Sequence, residues 1–528
     1  MSSQPRRRRS TASTDGLPGP VDALLGLDVG TTSVKAGLFD ASGACLAVAA
    51  EEYHLDHPAP NRAELDAEDY WLASRNAIRR VMTATGTGRD QVAALAVSSQ
   101  GETVVPVDGA GRPLGPALVW LDNRAVAESR EIAEAFGEAR IYDVTGVPSA
   151  FPTWSACKIL WWRRHQPDVF AAARRFLLVE DVLLHRLTGR FVTEGGVHCT
   201  SLLYDIRRHG WWDEMLDLIG IDASRLPELA RPGDAVGTLT PTTAEALGLS
   251  PRIRVVAGGM DQGAGAVGIG NLRAGMVSES TGGALTVQAS VDRHGGDPSR
   301  QTPVYVHSAP GMYLYCPVCP TGGMALAWFR DQFGAEEVAR ADREGTSAYD
   351  LLTALAAEVP PGSEGLLMLP HLMGAFSPEY EPEAKGTFYG FTLRHGKGHF
   401  VRAVLEAVAF MLRRNLELLA RAGATADEIR SHGGGARSAL WNQVKADVCG
   451  CPVLTLEGDD AAVRGDAMLA GVAAGVFADL DAAGRAMVAT KRRYIPDPAA
   501  HPVYEEAYAR YIELFEALRP LFARSGTA

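Results

Sequence analysis

The sequence predicts a mixed α/β protein made of two related domains that face each other. Three observations lead there. At 528 residues the chain exceeds the roughly 100 to 200 residues that one domain core usually organises. Short β-like apolar runs alternate with stretches of helical spacing along its length. Two distant blocks each open with a pair of strands bent around a loop of small, hydroxyl-bearing residues, Gly30 to Ser33 in one and Ser280 to Gly283 in the other, a weak internal repeat.

The elements follow in chain order. Residues 1 to 20, with Arg6 to Arg9 and then Ser, Thr, Gly and Pro, carry no apolar periodicity and read as a disordered basic tail. The apolar stretch of an export signal is missing after the arginines. Leu24 to Val29, Val34 to Phe39 and Cys45 to Ala49 read as three strands joined by turns, Ala67 to Met82 as a helix, and Val92 to Val97 and Val104 to Val107 as buried strands. Lys158 to Arg164 and Val179 to Leu187 have helical spacing. The strand Ile253 to Ala257 runs into Gly258, Gly259, Met260, Asp261 and small residues to Gly270. That places a boundary near 258 to 272, between an N-terminal domain over 21 to 270 and a C-terminal domain over 271 to 490. In the latter, Ile429 to Ser431 enters Gly433, Gly434 and Gly435, Ser438 caps a helix that Gly450 stops, and Asp460 to Phe477 is Ala-rich and helical. Residues 491 to 528 read as a closing amphipathic helix.

Composition narrows the chemistry. Lys and Arg total 51 against 63 Asp and Glu, a net charge of −12, which argues against a nucleic-acid partner. No window supplies the ~18 uninterrupted apolar residues of a membrane span, and seven scattered cysteines fit no disulfide framework. Together these point to a cytoplasmic protein acting on small molecules. Cys316 and Cys319 form a CxxC without a second pair at zinc spacing and read as structural. His371, His395 and His432 fall in expected loops at no ligand spacing, and Trp161, Trp162, Trp211 and Trp212 read as packing.

Two constellations carry chemistry. Asp28 closes a buried strand and is followed by Gly30, Thr31, Thr32, Ser33 and Lys35. Exposed backbone N–H groups, hydroxyl donors and an acid that holds Mg2+ through water are what a phosphate turn requires. Asp261, between a strand and a small-residue helix, reads equally as a proton acceptor or a helix cap from its type alone. Gly263, Gly265 and Gly268 spell the dinucleotide pattern GxGxxG, but Asp261 intervenes after the strand and Glu279 comes too early for the ribose-binding acid.

The run from Gly26 to Lys35 resembles the first phosphate loop of the FGGY carbohydrate kinases. The likeness continues in order through Gln100-Gly101-Glu102-Thr103, Val119 to Arg124, Gly259-Met260-Asp261-Gln262 and Gly433-Gly434-Gly435. Each motif is weak alone; five in order, over most of residues 21 to 490, are specific. The resemblance implies two actin-like ATPase (ribonuclease H-like) α/β domains facing a central cleft, and phosphoryl transfer from ATP to a sugar or polyol hydroxyl with Mg2+. On that basis Asp261 is the catalytic base and Asp28 holds Mg2+ through water. Thr31, Thr32, Ser33, Lys35, Thr281, Gly282, Gly434 and Gly435 bind ATP and its phosphates, and Gln100, Glu102, Thr153, Asp261 and Gln262 bind the sugar. Gly101 and Thr153 stand where glycerol kinases have Arg and Tyr, so the expectation is an enlarged pocket suited to a ketopentose such as xylulose. Glycerol, erythritol, ribulose, fuculose and gluconate are the alternatives. Val463, Arg464, Gly465 and Asp466 replace a small-apolar stretch of the family, with Arg464 and Asp466 read as a surface helical pair. A non-catalytic sugar- and ATP-binding regulator on the same fold stays open as a different class, as does a homodimer.

Overall fold

The computed structural model describes residues 23–295, 297–458 and 460–525; the basic tail expected over 1 to 20 lies outside them. Two sheets organise the chain. From edge to edge, the first runs Cys45–Glu52, Ser33–Asp40, Ala23–Val29, Val92–Ser99, Arg254–Met260 and Ala235–Thr238. The second has Tyr313–Tyr315, Leu285–Val291, Val277–Thr281, Ile429–His432, Val453–Leu456 and Thr490–Tyr494 in the same six places, with Val304–Val306 added outside. Strand senses also match: two antiparallel pairings, two parallel and one antiparallel, in that order in both sheets. The faint sequence repeat is therefore a duplication of topology, and the two small-residue turns occupy equivalent positions.

Two sequence expectations change here. Residues 490–494 form an edge strand, with Tyr494 paired to Val453, and the closing helix begins only at His501. There Tyr504, Tyr508, Tyr511 and Phe515 pack with Phe410 and Val444. His432 ends a strand of the second sheet and does not lie in a loop. The cysteines are free thiols, with Cys316 and Cys319 buried, and no helix among the described residues is long and apolar enough to cross a membrane.

A central strand with a parallel neighbour needs apolar residues on both faces, and Ala23–Val29 has them. Leu25, Leu27 and Val29 pack with Tyr70, Ala77, Ile78 and Val81 of the helix Ala67–Thr85. On the other face, Leu24 meets Val463, Ala467, Met468 and Ala470 of the helix Ala461–Ala474. This second helix follows the fifth strand of the second sheet yet covers the first sheet. It also crosses its topological counterpart, the helix Asp261–Gly268, which follows the fifth strand of the first sheet.

The two helix backbones touch. A Cβ on Gly268 would lie 1.8 Å from the Ala461 carbonyl oxygen, and one on Gly465 would lie 1.9 Å from that of Ala264. Only glycine permits such an approach. Arg464 and Asp466 flank this crossing and are 6% and 0% exposed, which overturns their reading as a surface pair. Arg464 donates to the carbonyls of Gly268 and Glu457, so its charge serves the crossing and not the solvent.

Replacing Gly465 with Ala forces these backbones apart. Overpacking typically costs about 1 to 3 kcal/mol, and neither carbonyl can rotate away, so urea unfolding should show a loss of at least about 2 kcal/mol. A loss under about 0.5 kcal/mol, the usual range of a surface change, would mean the helices separate freely.

Candidate active site

Three parallel strands of the first sheet end together, the position where open α/β sheets hold their ligands. Asp28, Ser98 and Gly259 are register partners there, and Asp261 follows immediately on its helix. The Ser98 hydroxyl lies 2.8 Å from Asp466 Oδ2 and 3.4 Å from Asp28 Oδ1. Asp261 Oδ1 accepts from the Gln262 N–H at 2.6 Å. Burial, reinforced by the neighbouring Asp28 and Glu102 carboxylates, pushes Asp261 up to about 8. Burial also pushes Asp28 up to about 6, against the pull of Lys35 and Ser98. Asp466 is driven well above the usual carboxylate range by burial and by Asp28, and its Oδ1 has no hydrogen-bond partner.

Above this floor stands the first turn. The Gly30 N–H donates to the Ser33 carbonyl at 3.0 Å, and the Tyr53 N–H and hydroxyl donate to the carbonyls of Thr32 and Gly30. Thr32 is exposed, Thr31 and Ser33 half-buried. Thr31 Oγ1 accepts from Trp120 Nε1 at 2.8 Å, so its own O–H remains to donate. Lys35 reaches Asp460 at 3.0 Å, tying the turn's second strand to the start of the crossing helix.

The second turn is built differently. Thr281 Oγ1 donates to Glu279 Oε2 at 2.6 Å and accepts from Lys445 Nζ at 2.9 Å, while Lys445 and Glu279 form a wholly buried pair at 2.6 Å. Burial pushes Glu279 up, but the charge and hydrogen bond of Lys445, with those of Ser431 and Thr281, outweigh it and hold the carboxyl below its usual range. The Thr281 side chain is thus committed to the scaffold, and the turn presents the exposed backbone of Gly282 and Gly283. With Gly434, Gly435, Met324, Tyr349 and Asp350 these line a cavity of about 750 Å3. Gly435 must be glycine, because a Cβ there would lie 2.6 Å from Thr281 Cβ.

On the other side of Asp261 stands Glu102, held at φ 59°, a left-handed conformation that an ordinary residue adopts only when its surroundings impose it. Its carbonyl is clamped by Ser155 Oγ at 3.1 Å and Lys158 Nζ at 3.3 Å. Lys158 also donates to the carbonyls of Leu118 and Val119. Gln262 is fixed through its Oε1 by Gln288 Nε2 at 2.9 Å. Gln100 is buried and donates to the Gly30 carbonyl at 3.0 Å and the Tyr70 hydroxyl at 3.2 Å, and the Thr153 hydroxyl donates to the Trp120 carbonyl. The expected room at Gly101 is not there: a Cβ would lie 2.8 Å from Thr200 Oγ1 and 3.2 Å from Met260 Sδ.

Residues 23–268 match the N-terminal domain, and residues 283–474 the C-terminal domain, of the FGGY family of carbohydrate kinases. The chain belongs to that family. It is 29% identical to a xylulose kinase of Lactococcus lactis over 497 residues, covering 93% of this chain and 96% of that one. It is 30% identical to an autoinducer-2 kinase of Klebsiella pneumoniae over 497 residues, 92% of each chain. The solved xylulose kinase of Rhodospirillum rubrum superposes with a TM-score of 0.87 at 30% identity over 95% of this chain and all of that one. The two sheets are accordingly the two α/β domains of this kinase fold.

Sequence reasoning missed two residues of this carbohydrate kinase. Trp120, 38% exposed, reaches the first turn, and its loop is pinned by Asp122, which accepts from Ala63 N and Arg124 Nε at 2.8 Å each. The aromatic residue inside Val119 to Arg124 was a usable signal. Tyr305, on a strand of the second sheet, is half-buried close to Glu102. No local pattern marks Tyr305.

The raised carboxyls give a stability signature. A group held protonated by the fold contributes stability that is complete below its unfolded value, near 4, and is lost as pH rises through its folded value, here about 6 for Asp28 and about 8 for Asp261. The ligand-free enzyme should therefore lose stability from pH 5 to about 8.5 relative to Asp261→Asn, as read from urea midpoints. Parallel curves for the two proteins would contradict these protonation states.

Proposed function

We propose that this carbohydrate kinase transfers the γ-phosphoryl group of ATP to a hydroxyl of a neutral sugar, a ketopentose such as xylulose being the best fit. The carrying observation is the crowding of Asp261 by Asp28, which leads into the first turn, and by Glu102, with Gln262 beside it at the start of the helix. In this reading the lobes divide near residues 270 and 271, with the helix Ala461–Ala474 reaching from the C-terminal lobe onto the N-terminal one.

Asp261 accepts the proton of the attacking hydroxyl, and a carboxyl with affinity near neutrality is well matched to that task. Thr31, Thr32 and Ser33 hold the phosphate being transferred, and the 750 Å3 cavity between Gly282 and Gly435 takes the nucleoside. Asp28 and Asp261 are hard oxygen donors whose carboxyls the ligand-free fold holds partly protonated, so that a cation would displace protons there, and no three or more His, Cys, Asp or Glu among the described residues enclose an ion. That donor set fits Mg2+, which takes one or two carboxylates and otherwise keeps water and phosphate oxygens; when bound, it offsets charge on the phosphates. Gln100 acts through the Gly30 carbonyl, and Thr153 through Trp120, as positioning residues.

Selection for a neutral sugar follows from the charges at the site. Glu102 and Asp261 accept hydrogen bonds from hydroxyls, whereas Lys158 commits its N–H groups to three carbonyls and sets its charge against Glu102, which leaves no N–H to bind an acidic sugar. The relatives named xylulose kinase support the five-carbon choice.

Asp261→Asn should lower kcat by about 100- to 10,000-fold. ADP release over xylulose, ribulose, fuculose, gluconate, erythritol and glycerol should give xylulose the highest kcat/KM. Gluconate in first place would overturn the charge argument.

A further inference from the structure

A second cavity, of about 510 Å3, opens on the N-terminal lobe and shares no lining residue with the site above. Its walls are Phe191, Trp211, Leu226, Pro227 and Leu229, and its polar lining is led by Arg174, Arg175 and Arg190. This is a concentration of positive charge on a chain whose net charge is −12.

The fold pairs one of the three arginines closely with an acid and sets Asp222 within electrostatic reach of another, Arg174, which leaves the cavity with an excess of positive charge. Among the described residues only Arg190 has an acidic partner, Glu228 at 3.0 Å, and its other arm donates to the Val236 carbonyl at 2.7 Å. Arg175 lies with its guanidinium carbon 4.2 Å from the centre of the Phe191 ring, and that ring also stacks on His185 at 3.9 Å. Its Nε is buried without a hydrogen-bond partner, and burial with the adjacent Arg174 charge pulls its affinity for protons down. Arg225, close by, is spent on the carbonyls of Phe170 and Ala173. The nearby Asp222 accepts from the Ser224 N–H at 2.7 Å.

We propose that this cavity is a second ligand site, and that it binds the phosphate monoester of a sugar. Guanidinium forks match the oxygens of a phosphate dianion, and the volume lies in the range of metabolite sites. The aromatic and aliphatic atoms that Trp211, Pro227 and Leu229 add to the arginine-rich lining suit the carbon face of a sugar more than a bare anion. The proposal is independent of which sugar the cleft phosphorylates, because none of these residues touches the catalytic groups.

Isothermal titration of the full-length enzyme with ribose 5-phosphate, inorganic phosphate and ribose tests it. Ribose 5-phosphate should bind at least about tenfold tighter than either of the others, with the preference over ribose falling as salt screens the arginines. Arg175→Gln should weaken it at least tenfold while kcat and KM for the kinase reaction stay unchanged, which also shows that the variant folds. Arg174→Gln, at an exposed position, should weaken it in the same direction. Inorganic phosphate binding as tightly as the ester would overturn the sugar assignment. Unchanged affinity in both variants would place the ester in the cleft and overturn the site.

Discussion

The constraint around which this structure is arranged is the crowding of three carboxyls where the two lobes cross. Asp28 comes from the first strand, Asp261 from the helix after the fifth strand, and Asp466 from the equivalent helix of the other lobe. The last arrives because glycines at 268 and 465 let those two helices touch backbone to backbone. Ser98 lies between Asp28 and Asp466, and one hydroxyl proton cannot satisfy two anions. Like charges in a poorly hydrated site do not all ionise, so the floor holds protons and draws cations.

Around that floor, the polar groups divide into those already spent and those left for a ligand. Thr281 is spent on Glu279 and Lys445, the Gln100 amide nitrogen on the first turn and Tyr70 while its oxygen stays without a partner, Lys158 on three carbonyls, and Thr153 on the Trp120 loop. Glu102 is different, being held in an unfavourable backbone conformation by donors to its carbonyl, while burial pushes its carboxyl up against the pull of Thr200 and Lys158. Such strain persists only where surrounding contacts over-determine it. On the proposed reading, substrate choice is set less by which polar residues stand near Asp261 than by which of them the scaffold leaves uncommitted.

The sequence made the hairpin around Gly30 to Ser33, the strand into Asp261 and the turn at Gly433 to Gly435 legible, because each is a local pattern of apolar run, glycine and hydroxyl. What it hid were consequences of tertiary contact. Asp466 sits in a helix whose spacing says nothing about the opposite lobe lying on it, so its burial could not be read. Gly101 implies room only until Thr200 and Met260 are brought against it. Tyr305 enters from a three-residue strand of the second sheet, far from every motif. Thr490–Tyr494, rich in Lys and Arg, reads poorly as a strand because it is an edge with four of its five residues exposed, where charge is the ordinary protection against further pairing.

The crowding of carboxylates is tested most directly by a 13C NMR pH titration of the ligand-free enzyme labelled at aspartate side-chain carboxyls. One carboxyl should titrate near pH 8 and vanish from the spectrum of Asp261→Asn, and a second, near pH 6, should stay close to its place in that variant, because Asp261 is still neutral when Asp28 ionises. Titration of every aspartate below about pH 5, the ordinary range for the residue, would contradict the account.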